Sequence, residues 1–157
     1  MKNISILGST GSIGVNALNV IDNLNDKFNV KALSAYKNSN LLIKQTKKYN
    51  PEIIAIVDSS EVDYVKDSLK GSGVSVLHGR EGLLELSSRS DVDIMFNSLV
   101  GSSGMQPTIN AIRSSVDVAL SNKESLVMAG DIINNEKINL VQKFFLLIVN
   151  ILRFGNA

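Results

Sequence analysis

The feature that most constrains the fold is an apolar segment, residues 4–7, that runs directly into a glycine-rich turn at residues 8–14. The three glycines have a GxxGxxG spacing, and a helical pattern of apolar residues begins after the second one. A dinucleotide-binding fold needs this order of strand, tight turn and helix, because backbone N–H groups and the positive end of the helix dipole then meet a phosphate group. The pattern predicts that Gly8 makes the tight turn, that Gly11 lets the backbone approach a pyrophosphate, and that Gly14 lets the helix pack closely on the strand.

A glycine triplet alone is also compatible with an ordinary turn, and its place between a strand and a helix is what favours dinucleotide binding. Apolar strands and amphipathic helices alternate along the rest of the chain. The predicted strands are residues 4–7, 28–35, 53–57, 74–77, 92–97 and 116–120. The first predicted helix begins after Gly11, and the others are residues 39–49, 59–69, 79–88, 107–114 and 123–139. This alternation predicts an α/β fold built on a doubly wound parallel sheet.

The composition excludes several classes of protein. The chain has 157 residues, of which 44% are hydrophobic and 20% charged, which is typical of one globular domain with its own core. The net charge of +1 does not favour nucleic acid as a partner. Without cysteine, and with one histidine, the chain has no disulfide, no thiol nucleophile and no zinc site built from cysteines or several histidines.

No targeting or membrane segment is apparent in the sequence. The first residues lack an apolar leader, and the longest apolar run, residues 144–149, is far shorter than the roughly 20 residues of a membrane helix. We therefore expect a cytoplasmic protein that does not associate with a membrane.

The residues after the second predicted strand indicate which dinucleotide is bound. NAD-dependent proteins usually place a carboxylate there for the ribose 2′-hydroxyl, whereas this chain has Lys37, Asn38 and Ser39. A cation and hydrogen-bond donors suit a 2′-phosphate, so NADPH is favoured over NADH. Taken alone, Lys37 is better explained as an ordinary solvated lysine.

Two further polar loops should lie at the same edge of the sheet. Residues 98–104 follow the fifth predicted strand and residues 121–125 follow the sixth. In open α/β sheets, ligands bind at the carboxyl ends of the strands. Lys123 could reach a substrate phosphate, and Glu124 falls in the first turn of a helix, although both loops are also compatible with plain connections or helix caps.

Four segments in this order resemble the N-terminal domain of the 1-deoxy-D-xylulose 5-phosphate reductoisomerase family. They are ILGSTGSIG at residues 6–14, AYKN at 35–38, VGSSGMQPT at 100–108 and NKESLV at 122–127. The resemblance runs from residue 2 to about residue 143. The glycine loop and the NKES segment are specific as a pair.

The resemblance implies an NADPH-dependent enzyme of non-mevalonate isoprenoid biosynthesis. The implied reaction converts 1-deoxy-D-xylulose 5-phosphate to 2-C-methyl-D-erythritol 4-phosphate, requires Mg²⁺ or Mn²⁺ and takes place in a homodimer. The implied cofactor-binding residues are Thr10, Gly11, Ser12 and Ile13 at the pyrophosphate, Tyr36, Lys37 and Asn38 at the adenosine ribose phosphate, and Asn122 and Glu124 elsewhere on NADPH. By the same pattern Lys123 contacts the substrate.

The chain departs from the family pattern after residue 143. The DSEH motif, whose Asp and Glu bind the metal in the family, does not occur, and residues 144–157 read FFLLIVNILRFGNA. In a neighbouring reading frame, codons compatible with residues 146–157 translate as PIDSEHSAFWQC, which resembles the missing motif. We therefore predict an NADPH-binding domain at residues 1–143 and a frameshifted tail at 144–157, with the last strand, the metal ligands and the catalytic domain missing. Little or no reductoisomerase activity is expected from this chain alone.

Other interpretations stay open at this point. The chain could be a fragment of another NADP-dependent dehydrogenase, such as a semialdehyde or homoserine dehydrogenase, although these lack an NKES segment here. It could also be a free-standing NADPH-binding module, or a short homologue whose divergent tail is authentic.

Overall fold

Strands and helices alternate as predicted along the part of the chain that the computed structural model describes, which comprises residues 1–24, 26–121 and 144–146. The strands are β1 (Lys2–Leu7), β2 (Phe28–Ala35), β3 (Ile53–Ile56), β4 (Ser75–His78), β5 (Ile94–Asn97), β6 (Asp117–Leu120) and β7 (Phe144–Leu146). The helices are α1 (Ser12–Asn23), α2 (Ser39–Tyr49), α3 (Val62–Ser68), α4 (Gly79–Ser87) and α5 (Met105–Arg113). Short 3₁₀ turns at Ser59–Glu61 and Gly101–Gly104 lead into α3 and α5.

All seven strands form one parallel sheet in the order β4-β3-β2-β1-β5-β6-β7. The chain starts in the middle of the sheet, moves outward through β4, and then returns to the other side of β1 with β5. The strand order therefore reverses between β1 and β5. In sheets of this type a crevice opens at the carboxyl ends of the strands at such a reversal.

Helices cover both faces of the sheet. Alternate residues of a strand point to opposite faces, so Ile54 joins a core on one face and Ala55 a core on the other. The first core includes residues of α1, α2 and α3, and the second includes residues of α4 and α5. The central strands are buried on both faces, which is why they are almost continuously apolar. The predicted doubly wound parallel sheet is confirmed.

The structure differs from the sequence-based expectation at the start of the tail. Residues 144–157 were expected not to extend the sheet, but Phe144–Leu146 pairs in parallel with β6, with Val118 opposite Phe144 and Leu120 opposite Leu146. An uncovered edge strand offers unpaired backbone N–H and C=O groups, and a short apolar segment rich in aromatic residues can satisfy them. The expectation that the last strand is missing is therefore wrong for these three residues.

In the described ranges, no helix is both long and apolar enough to cross a bilayer. The predicted helix at residues 123–139 and the remainder of the tail, residues 147–157, lie outside the described residues.

Candidate functional site

A cleft of about 670 Å³ opens at the carboxyl ends of β1, β2 and β5, at the reversal of strand order. It brings together two segments that are more than 20 residues apart in sequence. One wall carries Gly8, Thr10 and Gly11, and another carries Tyr36, Lys37 and Asn38. Ser12, Ile13 and Gly14 begin α1 directly behind the first wall and do not line the cleft themselves.

The phosphate loop, residues 8–14, has the backbone geometry expected from its glycines. Gly8 has φ +77°, a conformation that side chains disfavour, and its carbonyl oxygen accepts a hydrogen bond from the Gly11 N–H at 3.0 Å. A Cβ on Gly14 would lie 2.3 Å from the Gly8 oxygen and 2.6 Å from Ser9 Cα. The tight turn at Gly8 is confirmed, and Gly14 allows a close approach of α1 to the two residues that directly follow β1, Gly8 and Ser9.

The N-terminus of α1 presents unpaired backbone donors next to this loop. Gly11 occupies the N-cap position, so no side chain caps the helix, and the first turn contains no acidic residue. The first N–H groups of a helix have no acceptor within the helix. An anion at this end would satisfy them and would be favoured by the helix dipole. Ile13 is half-buried against the first core, so its contribution to such a site is its backbone.

The second wall surrounds the N-terminus of α2. Tyr36 is 69% exposed and Lys37 projects into solvent, while Asn38 caps the helix, its Oδ1 accepting from the Leu41 N–H at 3.2 Å. The cap leaves the Asn38 Nδ2 group as the hydrogen-bond donor that can face a ligand. Although α2 has no acidic residue in its own first turn, the buried Ser39 hydroxyl donates to Glu61 Oε2 at 2.6 Å, so Ser39 is not the ligand donor that its sequence position indicated. Lys37, Asn38 Nδ2 and the N-terminus of α2 are the groups that favour an anion at this second region.

A carboxylate that the sequence did not predict lies beside Lys37. Asp58 follows β3, and its Oδ2 lies 3.9 Å from Lys37 Nζ. Hydrogen bonds from the Ser60 hydroxyl and backbone N–H, together with the nearby lysine, lower the pKa of Asp58. Asp58 caps the 3₁₀ turn that leads into α3, and its distance from Lys37 depends on the pairing of β2 with β3.

A second positively charged residue of the cleft was also not predicted from the sequence. Arg80 lies in the first turn of α4 and lines the cleft together with Leu83 and Leu84. The one feature of the sequence that could have indicated this role is the position of Arg80 shortly after the fourth strand. His78, just before it, is the exposed N-cap of α4 and does not line the cleft.

The loop after β5, residues 98–104, is attached to the phosphate loop. Ser98 Oγ lies 2.6 Å from the Leu7 carbonyl oxygen and 3.1 Å from that of Gly8, and the hydroxyl donates to the former. The buried Asn97 amide donates to the Gly104 carbonyl at 2.8 Å, which shapes the rest of the loop. The prediction that this loop lies at the same edge as the phosphate loop is confirmed.

The remaining predicted site residues, Asn122, Lys123 and Glu124, lie outside the described residues. Within the described ranges, no three residues among histidine, aspartate and glutamate come together as a metal-binding group.

Comparison with known proteins gives the family. The model of the family described as 1-deoxy-D-xylulose 5-phosphate reductoisomerase matches residues 4–130, most of the chain. The chain belongs to this family. The alternative of a semialdehyde or homoserine dehydrogenase is therefore not supported.

Curated reductoisomerases match over most of this chain. That of Chloroherpeton thalassium is 43% identical over 135 residues, 86% of this chain and 35% of the relative. That of Protochlamydia amoebophila is 44% identical over 133 residues, 85% of this chain and 34% of the relative. The chain thus spans about a third of the length of the reductoisomerases that it matches.

Solved reductoisomerase structures share the fold. The enzyme from Zymomonas mobilis in complex with NADPH superposes with a TM-score of 0.84 at 32% identity, covering 92% of this chain and 38% of that chain. A complex of DOX-P reductoisomerase with NADPH, fosmidomycin and magnesium gives a TM-score of 0.85 at 27% identity, covering 93% and 36%.

Proposed function

We propose that this chain is the NADPH-binding domain of a 1-deoxy-D-xylulose 5-phosphate reductoisomerase. The observation that carries the proposal is the single cleft in which the phosphate loop faces the Tyr36-Lys37-Asn38 segment. A dinucleotide has two separate phosphate-bearing parts, and the cleft has two separate regions that favour anions. A family member with this fold is known in complex with NADPH.

The residues of the chain fit the cofactor in a definite orientation. The pyrophosphate lies on the phosphate loop, where Thr10 and Gly11 border the cleft and the uncapped first turn of α1 supplies N–H donors from Ser12 and Ile13. A Cβ on Gly11 would meet only the Gly8 oxygen, at 3.4 Å, so the fold itself does not require glycine there. A ligand that approaches the backbone does require it.

The adenosine end of the cofactor lies at the second wall. Lys37 supplies the positive charge and Asn38 Nδ2 the hydrogen bond for the 2′-phosphate, and Tyr36 offers an exposed aromatic surface. The nicotinamide supplies a hydride when the cofactor is bound. Asn122 and Glu124 are proposed as further NADPH contacts, and Lys123 as a substrate contact.

Calorimetric titration of the 157-residue chain with NADPH and with NADH tests this proposal. We expect tighter binding of NADPH, by at least about tenfold, because one charged hydrogen bond to the 2′-phosphate contributes that much. A matched variant, Lys66→Ala, removes an exposed lysine far along α3 and should leave both affinities unchanged. Equal affinity for the two dinucleotides, or none for either, would overturn the proposal.

For the longer protein we propose the complete reaction of the family, on the resemblance of its motifs. Its substrate is the sugar phosphate 1-deoxy-D-xylulose 5-phosphate, and it acts in the cytoplasm as a homodimer with Mg²⁺ or Mn²⁺. The metal ligands belong to the DSEH motif, which is not in this sequence. No nucleic acid or membrane is proposed as a partner.

The division into a domain at residues 1–143 and a frameshifted tail at 144–157 stays a prediction, with β7 now placed at its start. The nucleotide sequence from codon 140 to several hundred bases beyond codon 157 tests it. A second frame that encodes PIDSEH and a further domain would support the frameshift. If no such frame exists, the tail is authentic, and a free-standing NADPH-binding module becomes the better interpretation.

The chain by itself is proposed to have little or no reductoisomerase activity. Without metal carboxylates nothing polarises the substrate oxygens. The purified chain, mixed with NADPH, Mg²⁺ and 1-deoxy-D-xylulose 5-phosphate, should show no substrate-dependent loss of absorbance at the reduced-nicotinamide band. Turnover at a rate proportional to the concentration of the chain would contradict this.

A further inference from the structure

One residue of the phosphate loop faces away from the cleft. Ser9 is fully buried, and its hydroxyl donates to Gln45 Oε1 at 2.7 Å. In return, Gln45 Nε2 donates to the Ser9 carbonyl oxygen at 2.8 Å. Gln45 belongs to α2 and is only 7% exposed. The two residues therefore form a closed, reciprocal pair of hydrogen bonds between the loop and a helix that is 36 residues away in sequence.

The end of β2 supports the same loop. The buried Ser34 accepts the Gly8 N–H on its hydroxyl oxygen at 3.0 Å, and its carbonyl oxygen accepts the Ser9 N–H at 2.8 Å. The backbone N–H groups of the first two residues of the loop are thus both paired with Ser34. Since Gly8 and Ser34 border the cleft together with Thr10 and Gly11, these bonds hold the loop directly beside the space for a ligand.

Gln45 also belongs to the helix that carries the second anion-favouring region. Asn38 caps α2, and Gln45 lies two turns further along that helix. Since a helix is stiff over two turns, the bonds of Gln45 to Ser9 determine how far the N-terminus of α2 lies from the phosphate loop. A buried, fully paired amide resists displacement, because leaving either partner unpaired costs free energy.

We propose that Gln45 is a positioning residue that sets the spacing between the phosphate loop and the N-terminus of α2, so that one dinucleotide can bridge both. This inference rests on the proposed function and extends it. Gln45 does not line the cleft, so its effect is exerted through Ser9 and through α2. A ligand that bridges both regions should depend on Gln45, and a ligand that occupies only one of them should not.

The test compares NADPH with adenosine 2′-monophosphate, which carries the 2′-phosphate of the adenosine end and lacks both phosphates of the pyrophosphate. In Gln45→Met, a replacement of similar size without hydrogen bonds, we expect NADPH affinity to fall about tenfold. The affinity for adenosine 2′-monophosphate should change less than about twofold. The amide protons of residues 8–11 should also exchange faster in the ligand-free variant, as seen by NMR.

The control is Thr46→Val on the next residue of α2. Thr46 is buried, and its hydroxyl donates to the Leu42 carbonyl within the helix, so this variant loses one buried hydrogen bond without touching the loop. Both ligands should bind it as they bind the unaltered chain. If Gln45→Met lowers the affinity for both ligands equally, or for neither, Gln45 is a purely structural residue and the inference is wrong.

A second variant, Ser9→Ala, keeps the inference testable if Gln45→Met does not fold. Ser9→Ala keeps the backbone acceptor for Gln45 Nε2 and should weaken NADPH binding less than Gln45→Met does. The effects of the two changes should be non-additive in the double variant, because both disrupt one unit. Additive effects would contradict the inference. Failure of the unaltered chain to bind NADPH would instead overturn the proposed function, and this inference with it.

Discussion

The ammonium group of Lys37 lies 3.9 Å from the carboxylate of Asp58, at the end of the cleft where a 2′-phosphate is proposed to bind. The carboxylate attracts the lysine and repels a phosphate, so it works against the preference for NADPH. Asp58→Asn keeps an oxygen that can accept from the Ser60 N–H and removes the charge. We expect the ratio of NADPH to NADH affinity to rise about threefold to tenfold, and to fall by about tenfold in Lys37→Ala.

Calorimetry at two salt concentrations checks this prediction. Both effects should shrink at high salt, because charges exposed to solvent are screened. A change of the same size for NADPH and NADH would show that neither residue discriminates between them.

Gly14 and Gly11 should respond differently to alanine. In an exposed helix, Gly→Ala stabilises by about 1 kcal/mol, but at Gly14 the new Cβ meets backbone atoms of Gly8 and Ser9 that cannot move aside. We expect Gly14→Ala to lose about 3 kcal/mol of the free energy of unfolding. Gly11→Ala should stay within about 0.5 kcal/mol and lose NADPH affinity. Urea unfolding measures the first effect and titration the second. A Gly14→Ala variant as stable as the unaltered chain would contradict the predicted clash.

The stability of the chain should depend on pH through Asp22. A hydrogen bond donated by Lys48, with a second from Tyr49, lowers the pKa of Asp22, and the bond that Lys48 donates to Asp22 raises the pKa of Lys48. A lowered carboxyl pKa contributes stability above the ordinary value of about 3.9, and this is lost as the pH falls through the folded-state pKa. The lysine contribution is present below about 10.4 and is lost as the pH rises through its raised pKa.

Asp22→Asn should therefore lower the melting temperature at pH 7 by at most about 2–4 °C, since the pair is largely exposed. The difference from the unaltered chain should vanish in strong acid. Asp67→Asn, at an exposed aspartate of α3, is the matched control. A difference that persists undiminished below pH 2 would show that the charge of Asp22 is not its cause.

Replacing two buried serines of neighbouring strands by alanine should change the free energy of unfolding in opposite directions. Within the described residues, the hydroxyl of Ser5 in β1 is buried without a hydrogen-bond partner, whereas that of Ser34 in β2 accepts the Gly8 N–H. Ser5→Ala removes an unsatisfied polar atom and should stabilise by up to about 1 kcal/mol, while Ser34→Ala should destabilise by about 1–3 kcal/mol. Urea unfolding of both variants checks the signs. A clear loss of stability in Ser5→Ala would mean that its hydroxyl has a partner.

Local patterns predicted the elements well where their signals were strong. The predicted bounds of α2 and β2 agree with the structure. Helix α2 ends at Tyr49, and its C-cap Asn50 has a left-handed conformation directly before Pro51. The observed bounds of β5 and α5 differ from the predicted ones by one or two residues, because no residue of this kind marks where these elements begin or end. The pairing of β7 with β6 was not predicted, because the unpaired edge of β6 arises when the sheet assembles and leaves no pattern in the sequence of the tail.

The sequence by itself determined the order of elements, the parallel sheet and the backbone geometry of the phosphate loop. These depend on neighbours along the chain: the alternation of apolar segments, the steric freedom of Gly8 and the missing side chain of Gly14. Only the tertiary structure decided which distant residues surround the cofactor cleft. Asp58 follows β3, Arg80 belongs to α4 and Gln45 to α2. Strand pairing and helix packing bring these residues to Lys37, to the cleft and to the phosphate loop respectively. Distances between such residues depend on how the whole sheet packs, which no local pattern in the sequence records.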